Sequence, residues 1–314
     1  MVKQDLEGMV LTPQNFKIAF IADTGLRFNA RRVLELVARN NPDLLAIVGD
    51  TGYEFHPREY RELRRSILGD IPTLEVAGDD AFPSKKIPEN RWHDYQKLLL
   101  EDIGKVPGIE IDGDYGIMST VKYKGTTFVL SAAGIAGDFH EHAAYAETAF
   151  ANSSSLWNFL LVHKPNVMMQ IAKKIKETSV WEWDMYKVAV AHGAIMANGH
   201  EHIGLRTETL TDFQTREPDP EAPNPYHLIV REGATFAVCV GLGGRRLRPR
   251  VRYDVKGYPF MYTKDAGAKN GAMFIVINVG GNPRMANGYF KNIYDSVPDA
   301  FSIESRVRKT NGIR

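Results

Sequence analysis

Six residues stand out for what their side chains can do and for where they fall: Asp23, Asp50, Asp79, His163, His200 and His202, each closely following a short apolar run. Tyr53 comes three residues after Asp50. Carboxylates and imidazoles are donors for borderline divalent and trivalent metals, and a chain with a single cysteine has no thiolate set for a structural zinc site. One carboxylate at a strand end is an ordinary loop residue. Three in one crevice concentrate negative charge that a bound cation would neutralise. His200 and His202 are two apart, a spacing that turns both rings to one side on a strand and lets both point inward on a tight loop.

The elements that must position these side chains can be read from the apolar pattern. Residues 17–22 (KIAFIA), 44–48 (LLAIV) and 73–77 are runs too short for helices, and they hand over to Asp23, Gly49-Asp50 and Gly78-Asp79-Asp80. Between them, residues 29–40 show helical spacing through Val33, Leu34 and Val37. Residues 57–68 do the same through Tyr60, Leu63 and Ile67, with Pro57 at the start. Strand, helix, strand, helix, strand with near-continuous apolar strands predicts a parallel sheet, whose carboxyl edge is where ligands bind. Further along, residues 91–103 read as a helix. Residues 115–123 and 126–132 read as a hairpin turning at Lys124-Gly125, and residues 134–142 as a loop carrying His140 and His142. Residues 156–162 form a strand ending at His163, 166–176 a helix, and 194–198 a strand running into Gly199. The rest is β-rich (202–210, 226–230, 235–241, 272–278 and 289–294), with an extended proline-rich loop at 218–225.

A chain of 314 residues, 44% hydrophobic, can bury a large α/β core. Lys plus Arg is 39 against 38 for Asp plus Glu, a balance that argues against a dedicated nucleic-acid binder. Cys239, inside Ala237-Val238-Cys239-Val240, reads as a small buried hydrophobe. Lys3, Asp5 and Glu7 precede any apolar run, so the start does not read as a signal peptide, and no apolar stretch approaches the roughly 20 residues that span a bilayer. The expected setting is the cytoplasm, with no membrane partner.

The order of these motifs resembles that of the calcineurin-like metallophosphoesterases, and within them the purple acid phosphatases. That family carries Asp-x-Gly, Gly-Asp-x-x-Tyr, Gly-Asn-His-Asp/Glu, Val-x-x-His and Gly-His-x-His. Here Asp23-Thr24-Gly25 matches the first and Gly49-Asp50-Thr51-Gly52-Tyr53 the second. Leu160-Leu161-Val162-His163 is an apolar variant of the fourth, and Gly199-His200-Glu201-His202 matches the fifth. The resemblance implies an α/β fold, a four-layer αββα sandwich of two mixed sheets flanked by helices. It further implies one domain over residues 1–314, with the ligand motifs in 17–205 and the second sheet supplied by the β-rich region 206–314. It implies two metal ions: Asp23, Asp50, Tyr53 and His202 on one, with Asp50 bridging to a second completed by Asp79, His163 and His200. Gly25 stands where the wider class has His, which in the purple phosphatases accompanies a Tyr ligand. A phenolate favours Fe(III), so the implied pair is Fe(III) with Fe(II), Zn(II) or Mn(II). The implied reaction is hydrolysis of a small-molecule phosphate ester by a metal-activated hydroxide.

The third motif departs: Gly78-Asp79-Asp80-Ala81 stands where the family has Gly-Asn-His. Asp79 can serve as an oxygen ligand in place of Asn, adding a negative charge. Asp80 replaces the His that faces the phosphate and assists the leaving group, and a carboxylate there repels a phosphate dianion unless it is protonated. Asp80, with His140 or His142 as a source of the missing imidazole, is therefore the candidate acid. The departure also admits a redox enzyme at a di-iron centre, or a metal- or phosphate-binding protein without turnover. Arg245, Arg246, Arg248, Arg250 and Arg252 form a basic run suited either to gripping a phosphate or to an exposed strand.

Overall fold

The computed structural model describes residues 9–51, 53, 56–82, 91–166, 169–172, 183–253 and 256–308. In chain order its first half contains β1 (Phe16–Ile21), α1 (Phe28–Asn40), β2 (Leu44–Val48), α2 (Pro57–Leu68), β3 (Thr73–Val76), α3 (Trp92–Ile103), β4 (Glu110–Asp114), β5 (Met118–Tyr123), β6 (Thr126–Ser131), α4 (Phe139–Ala151) and β7 (Trp157–Val162). The second half contains α5 (Asp184–Ala191), β8 (Ile195–Asn198), β9 (Gly204–Arg206), β10 (Leu210–Asp212), β11 (Glu217–Pro218), β12 (His227–Val230), β13 (Ala237–Val240), β14 (Phe260–Tyr262), β15 (Gly271–Ile277), β16 (Met285–Asn292) and β17 (Asp299–Ser305).

All five residues of β2 are buried, and β2 runs parallel to β1 on one side and β3 on the other. Helices make the crossovers, as parallel neighbours require. Helix α1 turns Val33, Leu34 and Val37 to the core and stops at Asn41, whose φ of 45° lies in the left-handed region. All strands but β10 and β11, which pair with each other, assemble into two mixed sheets. One has seven strands in the order β12-β17-β16-β15-β1-β2-β3, and the other eight in the order β14-β9-β13-β8-β7-β6-β5-β4. Their inner faces meet directly: Phe20 of β1 lies 5.6 Å from Phe159 of β7, ring centre to ring centre, and Phe159 stacks on Phe128 of β6 at 5.0 Å. Helix α1 covers β15 and packs on α2, while α4 and α5 cover the outer face of the second sheet over Val129, Leu160 and Met196. This is the expected αββα sandwich.

The β-rich tail does not form the second sheet as expected; it divides. Strands β12, β15, β16 and β17 join the first sheet, and β13 and β14 the second. The reason lies in β15, whose GAMFIVI sequence is apolar on both faces. Such a strand is satisfied between a helix layer and another sheet, and it pairs beside β1 with Phe16 opposite Ile277. Residues 134–142, read as a loop, run into α4, because Asp138 caps the helix by accepting a hydrogen bond from the Glu141 amide at 2.8 Å. The helix read at 166–176 falls largely outside the described residues. No described helix is long and apolar enough to cross a membrane.

The two sheets are also tied by an ion pair. Arg206 of β9 donates to both oxygens of Asp299 at the start of β17, at 2.7 and 2.8 Å, and to the Pro225 carbonyl at 2.7 Å. Both side chains are buried, and the guanidinium carbon lies 4.4 Å from the centre of the Phe301 ring.

Candidate metal centre

The first three strands run parallel, as do β6, β7 and β8, so their carboxyl ends gather along one edge of the sandwich. Asp23, Asp50, Asp79, His163, His200 and His202 all follow those ends. The chain turns sharply there. Asp23, Asp50, His200 and His202 have φ values of 57°, 55°, 70° and 50°, in the left-handed region that side chains disfavour by ~1 kcal/mol or more each. Neighbouring loops hold them in it: the Asp23 amide donates to Gly49 O at 3.1 Å, and the Thr24 amide to Asp50 O at 2.9 Å. Gly49 (φ 81°) and Gly199 make room for the His163 ring. A β-carbon on either would lie 2.4 or 2.8 Å from its Nδ1.

The side chains form two adjoining groups. In the first, Asp50, Asp79, His163 and His200 each offer a ligand atom within 4.8 Å of all the others. His163 Nε2 is 3.3 Å from Asp50 Oδ1 and 3.4 Å from Asp79 Oδ1, and His200 Nδ1 is 3.6 Å from the same Asp79 oxygen. In the second, the Tyr53 hydroxyl lies 2.7 Å from Asp23 Oδ1 and 2.8 Å from His202 Nε2, which is itself 3.4 Å from Asp23 Oδ1. Asp50 belongs to the first group, and its charge also acts on Asp23 and Tyr53 in the second. Asp80 joins through its amide, which donates to Asp50 Oδ1 at 3.2 Å.

The hydrogen bonding shows that these donors suit a cation. His163 Nδ1 lies 2.8 Å from the Val48 carbonyl, which can only accept, so Nδ1 carries the proton and a neutral ring turns the Nε2 lone pair toward two carboxylates. That Nε2, buried, has no hydrogen-bond partner, and neither have Asp23 Oδ2 and Asp80 Oδ2. His202 repeats the arrangement: Nδ1 donates to Arg246 O at 3.1 Å, leaving the Nε2 lone pair toward Tyr53 and Asp23. With Asp23 ionised, one phenolic proton cannot serve both Asp23 and His202, and one of those contacts sets lone pair against lone pair. Metal ions would satisfy His163 Nε2, Asp23 Oδ2, His202 Nε2 and the Tyr53 oxygen.

Without a cation the charges press on one another. Burial, against the opposing pull of His163, pushes the Asp23 carboxyl up to about 7. Burial and the Asp50 charge hold Asp80 well above the usual carboxylate range. Burial disfavours a charged His163, but the Asp50 and Asp79 carboxylates outweigh it and draw its pKa well up. Burial and the Arg248 charge lower His202 to about 4. Burial drives the Tyr53 phenol far above its ordinary value, with the Asp23 and Asp50 charges adding to it, so a phenolate there needs a metal.

His140 and His142 do not join the cluster. His142 is a buried residue of α4, with Nδ1 2.9 Å from Ser131 Oγ and Nε2 2.9 Å from Ala136 O, so both ring nitrogens are engaged. His140 is exposed and pairs with Asp184 of α5 at 3.2 Å. The cause is the α4 cap, which turns the expected loop into a helix on the outer face. Residues outside the expected ligand set also reach the site. Arg248 donates to His200 O at 2.8 Å and lies 3.6 Å from Glu201 Oε1, while Glu201 Oε2 accepts from the Ala172 amide at 2.8 Å. The Arg245 guanidinium lies 3.7 Å above the Tyr53 ring. The basic run and the Gly-His-Glu-His motif contain these residues, but only the fold brings them together. Cys239 is buried, as expected of a small hydrophobe.

No family model matches the chain. Over 101 residues, 32% of this chain, it is 29% identical to purple acid phosphatase 23 of Arabidopsis thaliana; the match spans 20% of that relative. Among solved structures, 92% of the chain superposes on 53% of the purple acid phosphatase PPD1 from yellow lupin (Lupinus luteus) seeds, with a TM-score of 0.69 and 14% identity. GAP50, the anchor in the inner membrane complex of Plasmodium, matches over 94% of this chain and 90% of its own, at TM-score 0.59 and 10% identity. PhoD matches over 94% of this chain and 69% of its own, at 0.59 and 12%. The chain thus spans about half the length of the lupin enzyme and a fifth of the Arabidopsis one. In fold, in motif order and in its carboxylate and imidazole cluster, it resembles the calcineurin-like metallophosphoesterases, the purple acid phosphatases in particular.

Proposed function

We propose that the protein hydrolyses phosphate esters at a two-metal centre. The observation that carries this reading is the four-residue cluster, in which the buried His163 Nε2 makes no hydrogen bond and lies 3.3 and 3.4 Å from the Asp50 and Asp79 carboxylates. Asp23, Tyr53 and His202 would hold one ion, Asp79, His163 and His200 the other, and Asp50 both. Tyr53 favours Fe(III) in the first position, with Fe(II), Zn(II) or Mn(II) in the second. Metals bound there would supply positive charge to the phosphoryl oxygens and ease deprotonation of water.

The chain's own groups do the rest. Val48 and Arg246 fix the tautomers of His163 and His202. Arg248 brings a guanidinium to the mouth of the site, where it would orient an anionic ester. Asp80 is the acid in this reading: half-buried, with its amide on Asp50 Oδ1, its carboxyl favours the protonated form, which does not repel phosphate. As the bond between phosphorus and the leaving oxygen breaks, that oxygen would take the Asp80 proton.

The test pairs metal analysis with turnover of p-nitrophenyl phosphate. His163→Ala and His200→Ala should lose metal and hydrolysis together, because each removes a donor from a charge-balanced cluster. Full metal content in both variants would refute the ligand assignment. A metal-loaded wild type that turns over no phosphoester would refute hydrolysis, and dioxygen uptake by that protein would favour redox chemistry instead.

A further inference from the structure

Two glycines fix the course of the chain just before Arg245. The Gly243 amide donates to the Ala22 carbonyl at 2.9 Å, and a β-carbon on Gly243 would overlap that oxygen. A β-carbon on Gly244 would lie 2.6 Å from Ala30 Cα. The pair therefore lets the chain pass closely between the end of β1 and the start of α1. Arg245 is then clamped through its backbone. Its amide donates to the Asp23 carbonyl at 3.0 Å, and its own carbonyl accepts from the buried Asn270 side chain at 3.2 Å. One position on, the Arg246 carbonyl accepts from His202 Nδ1 at 3.1 Å. The segment is thus tied to Asp23 and His202, the two residues between which the Tyr53 hydroxyl sits. So held, Arg245 brings its guanidinium carbon to 3.7 Å from the centre of the Tyr53 ring.

A cation over the face of an aromatic ring attracts its π electrons, and 3.7 Å is well inside the roughly 6 Å over which that attraction acts. The attraction grows when the ring is a phenolate, which carries a full negative charge. The guanidinium then lowers the energy of the electrons that the phenolate would donate to a metal. Because it faces the ring, it acts on the donor more than on the metal. Weaker donation leaves more positive charge on the ion for a phosphoryl oxygen. It also disfavours Fe(III) relative to Fe(II), compared with the same site lacking the cation.

We infer that Arg245 is a positioning residue that acts through Tyr53: its guanidinium holds the phenolate electrons back from the metal, and so sets the colour and the reduction potential of the centre. The inference rests on the two-metal reading with Tyr53 as a ligand to Fe(III).

The test compares the iron-loaded wild type with two variants. Arg245→Met keeps the length of the side chain and removes its charge, while Arg245→Lys keeps the charge. In the oxidised proteins the charge-transfer band should move to longer wavelength in Arg245→Met and return most of the way in Arg245→Lys. Redox titration should find a lower potential in Arg245→Met. At a fixed potential its ratio of Fe(III) to Fe(II) should be roughly threefold to tenfold higher, tenfold corresponding to about 59 mV. Metal analysis and a melting curve check that each variant is loaded and folded. An unmoved band and potential in loaded Arg245→Met would overturn the inference and leave the Tyr53 ligand standing. A shift of equal size in Arg245→Lys would overturn it too, since the charge would then not be the cause. If folded Arg245→Met holds no iron while Arg245→Lys does, the charge is needed at the ligand and the inference is supported; loss of iron from both overturns it. A colourless iron-loaded wild type would overturn it together with the Tyr53 ligand. Turnover separates this inference from the proposed activity: the expected shifts in a protein that hydrolyses no p-nitrophenyl phosphate would sink the phosphatase and leave the role of Arg245 standing.

Discussion

Glu75 gives a stability test of the scaffold beneath the centre. It lies on β3, is fully buried, and accepts hydrogen bonds from Thr51 Oγ1 at 2.7 Å and from the Tyr95 hydroxyl at 2.9 Å. Thr51 adjoins Asp50, so Glu75 braces the loop that presents a candidate bridging ligand. Burial, only partly opposed by Arg64 and these hydroxyls, raises its carboxyl from 4.5 to about 7. The folded state therefore prefers the proton. The stability this confers is present in full below the unfolded pKa near 4.5 and is lost as pH rises through about 7. A shift of this size corresponds to roughly 3 kcal/mol between the two limits, and to roughly 2.5 kcal/mol between about pH 5 and about pH 8. Glu75→Gln keeps the shape and cannot ionise, so it should abolish this part of the pH dependence. The assay is urea denaturation of wild type and variant at both pH values. The variant should gain on the wild type by ~2 kcal/mol on going from about pH 5 to about pH 8. A difference between the two proteins that does not change with pH would refute the reasoning.

Asp299→Ala leaves Arg206 buried with its charge unpaired between the sheets, and should cost about 3–5 kcal/mol in denaturation; a loss below ~1 kcal/mol would show that the pair is relieved by solvent. If Tyr53 holds Fe(III) as phenolate, the oxidised wild type should show a visible charge-transfer band that Tyr53→Phe removes while the melting curve is little changed. A colourless iron-loaded wild type would contradict that role. Asp80→His places an imidazole where the resemblance calls for one and should raise turnover of an aryl phosphate; a variant that binds both metals yet stays inert toward every phosphoester tried would favour redox chemistry or binding without turnover.

Much of the centre was legible in the sequence because each ligand type follows an apolar strand, and strand ends in a parallel sheet share one edge. Asp23, Asp50 and Asp79 needed only the β-α-β pattern to be placed together. His163 and the Gly-His-Glu-His segment followed from two further apolar runs. Helix α4 was misread because Gly134, Gly137 and a cluster of polar residues masked its start. Its cap was nevertheless present, as Asp138 with Glu141 three residues on. Contacts between distant positions carry no periodic signal: Arg248 reaches His200 across 48 positions, and Arg206 finds Asp299 across 93. The division of the tail between sheets was hidden for the same reason. An apolar run such as β15 announces burial on both faces but not which strand it will lie beside.

The central claim is that Asp50 sits between two metal ions. Elemental analysis of the purified protein, combined with anomalous diffraction from its crystals, tests it most directly. The account predicts about two metal equivalents per chain. It places one anomalous peak among Asp23, Tyr53 and His202 and the other among Asp79, His163 and His200, with Asp50 touching both. Less than about one equivalent after growth with iron, zinc and manganese, or peaks away from these side chains, would contradict it.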